Sequence, residues 1–132
     1  MGAPLEKKTK RILVVDDDGL SQELMAIVLD ALGYSYESAK NGKEAVEKAL
    51  KQDFDLVLMD LRMPVMNGYD AARKIHEVKE NLPIYALTAH VLDYVPSKCR
   101  DAGMTGIFPK PIDVPKFNEW LKTRMGMEFG AP

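Results

Sequence analysis

Short apolar runs alternate along this chain with segments whose apolar residues recur at helical spacing. Most of the runs are continuous rather than alternating, which is typical of strands that are buried on both faces of a sheet. An alternation of strands and helices predicts an α/β fold with a five-stranded parallel sheet and five helices. The predicted strands are RILVVD (11–16), YSYESA (34–39), FDLVLMD (54–60), PIYALTA (83–89) and TGIF (105–108).

The helical patterns lie between and after these runs. The first begins after Asp18 and ends at Gly33. We expect Asp18 to cap this helix rather than to join a site as a further acid. In the last helix, Pro115 suits the first turn, and Phe117 and Trp120 are expected to face the core. The apolar residues that recur at helical spacing in the first helix are Leu20, Leu24, Ile27, Val28, Ala31 and Leu32.

The length of 132 residues fits one domain with a single core. We assign residues 11–125 to this domain, residues 1–10 to an N-terminal tail or linker and residues 126–132 to a C-terminal tail. The two ends are left out of the fold because MGAPLEKKTK and GMEFGAP show no helical or strand pattern.

Composition excludes some classes of function. Lys and Arg number 18 and Asp and Glu number 20, so the net charge of −2 provides no general attraction to nucleic acid or anionic lipid. No apolar run is as long as a membrane span. The single Cys99 cannot form an internal disulfide, which suits a reducing compartment. We therefore expect a cytoplasmic domain with no direct contact to nucleic acid or membrane.

Polar residues stand where the predicted strands end. Asp16 and Asp17 follow the first strand, Asp60 ends the third, Thr88 ends the fourth and Lys110 follows the fifth. The carboxyl ends of parallel strands meet at one edge of a sheet, which is where ligands bind in folds of this class. Two carboxylates about 5 Å apart repel by roughly 3 kcal/mol at an effective dielectric constant near 20. A cluster of acids at this edge therefore predicts a hard cation such as Mg²⁺ among them.

A magnesium site with a spare carboxylate indicates phosphoryl chemistry. A carboxylate can act as a nucleophile and form an acyl phosphate. Asp60 is the best candidate because it ends the central buried strand and is followed by a Pro- and Gly-containing loop that can leave its side chain accessible. Thr88 and Lys110 can then hold the phosphoryl oxygens, since this reaction depends mostly on positioning and charge neutralisation.

Four motifs in order, VVDDDG, LVLMDLRMPVMNG, LTAH and FPKPID, together resemble the receiver domain of two-component response regulators. The resemblance covers residues 11–123. The wording LTAHVLDYVPSKCRDAGM looks most like receivers attached to hybrid histidine kinases. We therefore expect a receiver cut from such a kinase rather than a stand-alone relay protein, and a monomer or weak dimer.

The resemblance implies a flavodoxin-like, doubly wound fold with strand order 2-1-3-4-5. It also implies that Asp60 accepts a phosphoryl group from a phosphohistidine on a histidine kinase or histidine phosphotransfer protein. Asp17 and Asp60 would bind Mg²⁺, or Mn²⁺ as a substitute, through their side chains, and Arg62 through its backbone carbonyl. Asp16 would act largely through water.

For the phosphoryl group, the same resemblance implies a hydrogen bond from Thr88 and an ion pair with Lys110, with a cis peptide bond at Lys110–Pro111. Such a domain assists its own phosphorylation and dephosphorylation but is not an enzyme in its own right. Its responding surface would lie near the fourth helix, fifth strand and fifth helix.

Three positions shape the output and the lifetime of the phosphoryl group in this family. Receivers usually have Tyr or Phe three residues before the lysine, and this chain has Ile107 there. Phe108 cannot simply replace that ring, because neighbouring residues of a strand point to opposite faces. Arg62 lies two residues after Asp60, and His90 lies two residues after Thr88. We expect the pairing of Arg62 with His90 to alter hydrolysis of the acyl phosphate. Unchanged dephosphorylation rates in both Arg62→Ala and His90→Ala would contradict that hypothesis.

Two alternatives stay open. The first is a signalling-silent binding module of the same fold, for which Ile107 is the best support. The second is an aspartyl-phosphate hydrolase that turns over external phosphate esters, although the chain shows no separate cap or substrate-recognition segment. Flavin binding is disfavoured because an acid cluster repels a flavin phosphate.

Overall fold

The computed structural model describes residues 10–123, 127 and 128. Strands and helices alternate as the sequence predicts, and each of the five predicted strands begins and ends within two residues of its predicted bounds. The strands are β1 (Arg11–Val15), β2 (Ser35–Ala39), β3 (Leu56–Asp60), β4 (Ile84–Thr88), β5 (Gly106–Pro109) and β6 (Met127–Glu128). The helices are α1 (Gly19–Leu32), α2 (Gly42–Lys51), α3 (Gly68–Val78), α4 (Val95–Asp101) and α5 (Val114–Thr123).

The sheet has the order β2-β1-β3-β4-β5-β6, and its first five strands are parallel. The predicted five-stranded parallel sheet with the order 2-1-3-4-5 is therefore confirmed. The additional strand β6 pairs antiparallel with β5, placing Met127 opposite Ile107 and Glu128 opposite Gly106. It lies in the segment that showed no strand pattern, because two residues are too few to produce a periodic signal.

The sheet is covered on both faces, which explains why its strands are continuous apolar runs. Along β1, Leu13 and Val15 enter the core beneath α2, α3 and α4, whereas Ile12 and Val14 enter the core beneath α1 and α5. Phe117 and Trp120 face the second core, as predicted, and Phe108 packs there against both. Among the described residues, no helix combines the length and apolar character needed to cross a membrane.

Side-chain caps start the first three helices at the carboxyl edge of the sheet. Asp18 accepts hydrogen bonds from the Ser21 amide and hydroxyl, at 3.0 and 2.9 Å, and so caps α1 as predicted. The side chains of Asn41 and Asn67 cap α2 and α3 in the same way. Gly33 ends α1 in the left-handed conformation, with φ of 85°. Short connections between strand end and helix start thus bring polar side chains to one edge.

The apolar pattern of α1 predicts the helix, but most of its residues do not face the sheet. Met25 and Leu29 are the buried pair, while Leu20, Leu24 and Ile27 are 64%, 55% and 65% exposed. At 3.6 residues per turn these three residues lie on roughly the opposite side of the helix from the buried pair. We call Leu20, Leu24 and Ile27 the α1 stripe. The helix is apolar on two sides, so periodicity alone does not identify the side that packs.

Close backbone packing at Gly68 fixes the loop after β3. The Gly68 amide donates to the Leu61 carbonyl at 3.1 Å. A Cβ atom at Gly68 would overlap the Asp60 carbonyl oxygen, which is backbone and has little freedom to move. By contrast, a Cβ at Gly19, the first residue of α1, would meet no atom within 4 Å.

We therefore predict that Gly68→Ala lowers the free energy of unfolding by about 1–3 kcal/mol, the usual effect of overpacking a tight contact. Gly19→Ala is the matched control and should leave that free energy unchanged or slightly raised. Urea unfolding of the three proteins provides the measurement. Equal stabilities for the two variants would show that the Gly68 contact does not constrain this loop.

Candidate functional site

Three carboxylates converge at the carboxyl edge of the sheet. Asp16 follows β1, Asp17 is next in the chain, and Asp60 ends the neighbouring strand β3. One carboxylate oxygen from each lies within 4.8 Å of those of the other two. Asp16 is buried, the Asp60 side chain is 16% exposed and Asp17 is exposed to solvent. We call these three residues the acidic cluster.

Lys110 supplies the positive charge that the acidic cluster needs. Its Nζ lies 2.8 Å from Asp16 Oδ2 and 3.9 Å from Asp60 Oδ2. The Lys110–Pro111 peptide bond is cis. The sequence predicted a lysine that counters the cluster, and the structure adds that its direct partner is the buried Asp16.

Backbone amides fix the carboxylates of Asp16 and Asp60. Asp16 Oδ1 accepts from the Asp18 amide at 3.0 Å, and Asp60 Oδ1 accepts from the Arg62 amide at 3.3 Å. These bonds and the Lys110 ion pair hold the cluster in a defined geometry. Its three carboxylates and one ammonium leave two negative charges when all are ionised. Clustered oxygen donors with that residual charge fit a hard divalent cation such as Mg²⁺.

The pKa of Asp60 is raised from its ordinary value of 3.8 to about 6. Burial is the largest cause, because it removes water that would solvate the carboxylate. The Lys110 charge opposes this shift, and the nearby Asp16 charge adds to it. The negative charge of Asp60 is therefore less favourable in the folded protein than in water when no cation is bound.

Thr88 lies at the end of β4, next to β3 in the sheet, but its hydroxyl is turned toward the following loop. Its Oγ1 donates to the His90 carbonyl at 3.3 Å and accepts from the His90 amide at 3.2 Å. Thr88, Arg62 and His90 line a cavity of about 160 Å³ beside the acidic cluster. The side chains of Arg62 and His90 are both exposed there.

The residue at the usual aromatic position, Ile107, is fully buried in the core beneath α4. Phe108 packs on the other face of the sheet, so it does not take over that position. The aromatic residues that line the cavity beside Thr88 are instead Tyr69 and Tyr94. Lys98 Nζ lies 4.7 Å from the centre of the Tyr69 ring. No local sequence pattern predicts this group, because its residues come from α3, from α4 and from the residue before α4.

Known proteins resemble this chain in both sequence and fold. The profile of the response regulator receiver domain family matches residues 12–122. Among curated proteins, the polar-differentiation response regulator DivK of Brucella ovis is 30% identical over 120 residues, covering 89% of this chain and 98% of its own length. The sensor histidine kinase RcsC of Escherichia coli K12 is 34% identical over 110 residues, or 83% of this chain. The chain spans only 12% of the length of RcsC.

Solved structures give the same result for the fold. The Vibrio cholerae chemotaxis protein CheY4 superimposes with a TM-score of 0.83 at 28% identity, covering 89% of this chain and all of its own. The receiver domain of the sensor histidine kinase PA1611 from Pseudomonas aeruginosa has a TM-score of 0.80 at 35% identity, covering 88% of this chain and 97% of its own. In that structure a magnesium ion is coordinated in the active-site cleft.

The raised pKa of Asp60 predicts a pH dependence of stability without metal. Because its folded pKa of about 6 exceeds its ordinary value of 3.8, the folded state holds the proton more tightly and loses stability as pH rises through this window. With a chelator present, we expect the free energy of unfolding of Asp60→Asn to increase relative to that of wild type as pH rises from 4 to 7. The expected relative increase is roughly 1–2 kcal/mol. Urea unfolding across this range measures the difference. A difference that stays constant with pH would contradict the raised pKa.

Proposed function

Because this chain belongs to the response regulator receiver domain family, we propose that it is a magnesium-dependent phosphoacceptor switch. Asp60 accepts a phosphoryl group from a phosphohistidine on a histidine kinase or histidine phosphotransfer protein. The observation that carries the proposal is the convergence of Asp16, Asp17 and Asp60 beside Lys110.

In the proposed reaction, a carboxylate oxygen of Asp60 attacks the phosphorus of the phosphohistidine. The P–N bond breaks, its electron pair stays on the imidazole nitrogen, and the new P–O bond makes an acyl phosphate. A bound Mg²⁺, held by Asp17, Asp60 and the Arg62 carbonyl, with Asp16 acting through water, would neutralise charge on the phosphoryl oxygens. Mn²⁺ could substitute because it accepts the same oxygen ligands.

Lys110 and Thr88 take the remaining phosphoryl oxygens in this proposal. Lys110 Nζ is already 3.9 Å from Asp60 Oδ2 and can contact an oxygen attached there. The Thr88 hydroxyl exchanges its 3.3 Å bond to the His90 carbonyl for a bond to the charged phosphoryl group, which is the stronger acceptor. Release of His90 changes the loop before α4, and this difference between the two states drives the switch.

The donor protein is proposed to dock on the α1 stripe. A groove lined by Leu24, Met25, Asp16 and Lys110 runs from this helix to the acidic cluster. A protein that delivers a phosphoryl group to Asp60 must approach this edge of the sheet. It would then contact the α1 stripe. Apolar side chains that are 55–65% exposed beside the site are suited to contact an apolar helix face of the donor.

The unpaired, buried Cys99 suits a cytoplasmic location. The domain acts as a monomer or weak dimer and assists its own phosphorylation without being an enzyme for external substrates. The relatives include a sensor histidine kinase, and we propose that this receiver serves a hybrid histidine kinase. Arg62 and His90, exposed beside Thr88, are proposed to modulate hydrolysis of the acyl phosphate.

A small acyl-phosphate donor with Mg²⁺ should add one phosphoryl group to the wild-type protein, detected by intact mass spectrometry. The added mass should be absent without Mg²⁺ and absent in Asp60→Asn, because both the metal and the nucleophile are required. Absence of any added mass in a folded protein would contradict the phosphoacceptor proposal.

A signalling-silent module is the second candidate, and the fully buried Ile107 favours it. Amide spectra of the phosphorylated protein separate the two candidates. A switch shifts signals in α4 and β5, far along the chain from Asp60. A silent module shifts only the signals of residues that surround the acidic cluster.

The docking proposal predicts that Leu24→Asp slows phosphoryl transfer from a phosphorylated histidine phosphotransfer protein by roughly tenfold or more. The rate with a small acyl-phosphate donor should stay unchanged, because that donor needs no protein surface. Val78→Asp is the matched control, since Val78 is 64% exposed on α3 and lies away from the groove. Equal transfer rates from the protein donor to both variants would place the donor elsewhere.

A further inference from the structure

Gln22, one turn into α1, reaches back to the carboxyl edge of the sheet. Its Nε2 lies 3.2 Å from the Val14 carbonyl, 3.0 Å from the Asp16 carbonyl and 2.9 Å from the Ala39 carbonyl. All three neighbours are hydrogen-bond acceptors, so the amide nitrogen, and not the amide oxygen, must face them. Two N–H groups are shared among three carbonyl oxygens.

The β1–β2 ladder ends at this point, which explains why a side-chain donor is needed. The Asp16 amide donates to the Ala39 carbonyl at 3.1 Å. Strand β2 ends at Ala39, and the next amide, that of Lys40, donates to Glu44 Oε1 at 3.0 Å instead of continuing the ladder. Buried carbonyl groups at the end of a ladder need another donor. Gln22 supplies it from the helix that packs above.

Asp16 is therefore held by both its side chain and its backbone. Its carboxylate accepts from the Asp18 amide and pairs with Lys110, at 3.0 and 2.8 Å. Its amide donates to Ala39, and its carbonyl accepts from Gln22. The hydrogen bonds of Gln22 go to carbonyl oxygens and not to the carboxylates of the acidic cluster, yet one of them fixes the peptide unit that leads from Asp16 into Asp17.

We infer that Gln22 is a positioning residue for the divalent-cation site. By fixing the Asp16 carbonyl against Ala39, its amide sets the direction in which Asp17 and Asp16 leave the sheet and so keeps their carboxylates convergent with Asp60. The inference rests on the proposed function, because it assumes that the acidic cluster binds Mg²⁺. Outer groups that orient metal ligands affect metal affinity by about 10–100-fold when they are removed.

The test compares Mg²⁺ affinities measured by isothermal titration calorimetry. Gln22→Met keeps the length and volume of the side chain but has no donor, so its dissociation constant for Mg²⁺ should rise by about 10–100-fold. Gln22→Asn keeps the amide but is one methylene too short, and it should show a loss in the same direction. This second variant also covers the case in which Gln22→Met does not fold.

Gln52→Met is the matched control. Gln52 also makes side-chain hydrogen bonds between elements, with Arg11 and Glu37, but at the opposite end of β1. It should lose comparable thermal stability while its Mg²⁺ affinity stays within about twofold of wild type. In metal-free amide spectra, the Asp17 and Asp18 signals should shift in Gln22→Met and remain in place in Gln52→Met.

Two results would overturn the inference while leaving the proposed function intact. One is wild-type Mg²⁺ affinity in the Gln22 variants. The other is a loss of affinity in Gln52→Met as large as that in Gln22→Met, which would show a general effect of lower stability. A wild-type protein that binds no Mg²⁺ would instead contradict the proposed function, and the inference with it.

Discussion

Repulsion among three carboxylates, balanced by one lysine, is the constraint on which the rest of this structure depends. Asp16 is almost fully buried, and a buried charge is tolerated only when it is paired and hydrogen-bonded. Lys110 provides the pair at 2.8 Å, reaching from the end of β5 across β4 and β3 to the end of β1. One side chain thus connects the carboxyl ends of β5, β3 and β1. The same lysine leaves the cluster with a residual negative charge that a divalent cation can neutralise.

Much of this arrangement can be predicted from the sequence. Continuous apolar runs define the parallel strands, and in a doubly wound sheet the residues that follow them must meet at one edge. The sequence therefore predicts that Asp16, Asp17, Asp60, Thr88 and Lys110 lie at one edge of the sheet. In the structure the three aspartates converge beside Lys110. Asp18 was likewise predictable as a cap, because an aspartate directly before a helical pattern has few other local roles.

Other features depend on tertiary packing and left no local signal. The apolar residues of α1 lie on two sides of the helix, and only the fit against the sheet selects Met25 and Leu29 for burial. Strand β6 contains only two residues and forms because β5 offers a free edge. Gln22 is one of several polar residues on α1. Its hydrogen bonds depend on carbonyl groups at the ends of β1 and β2, which lie in other parts of the chain. The partner of the Thr88 hydroxyl is also set by the loop geometry rather than by sequence spacing.

The metal site is the central claim, and the stability of the protein as a function of Mg²⁺ tests it most directly. Free energies of unfolding would be measured by urea unfolding at constant ionic strength for wild type and Asp17→Asn. If the acidic cluster binds Mg²⁺ in the folded state, wild-type stability rises by about 1.4 kcal/mol per tenfold increase in Mg²⁺ above the dissociation constant. Asp17→Asn, which lacks one exposed ligand and leaves the buried Asp16–Lys110 pair intact, should respond far less. An identical response of the two proteins, or none in either, would contradict the account.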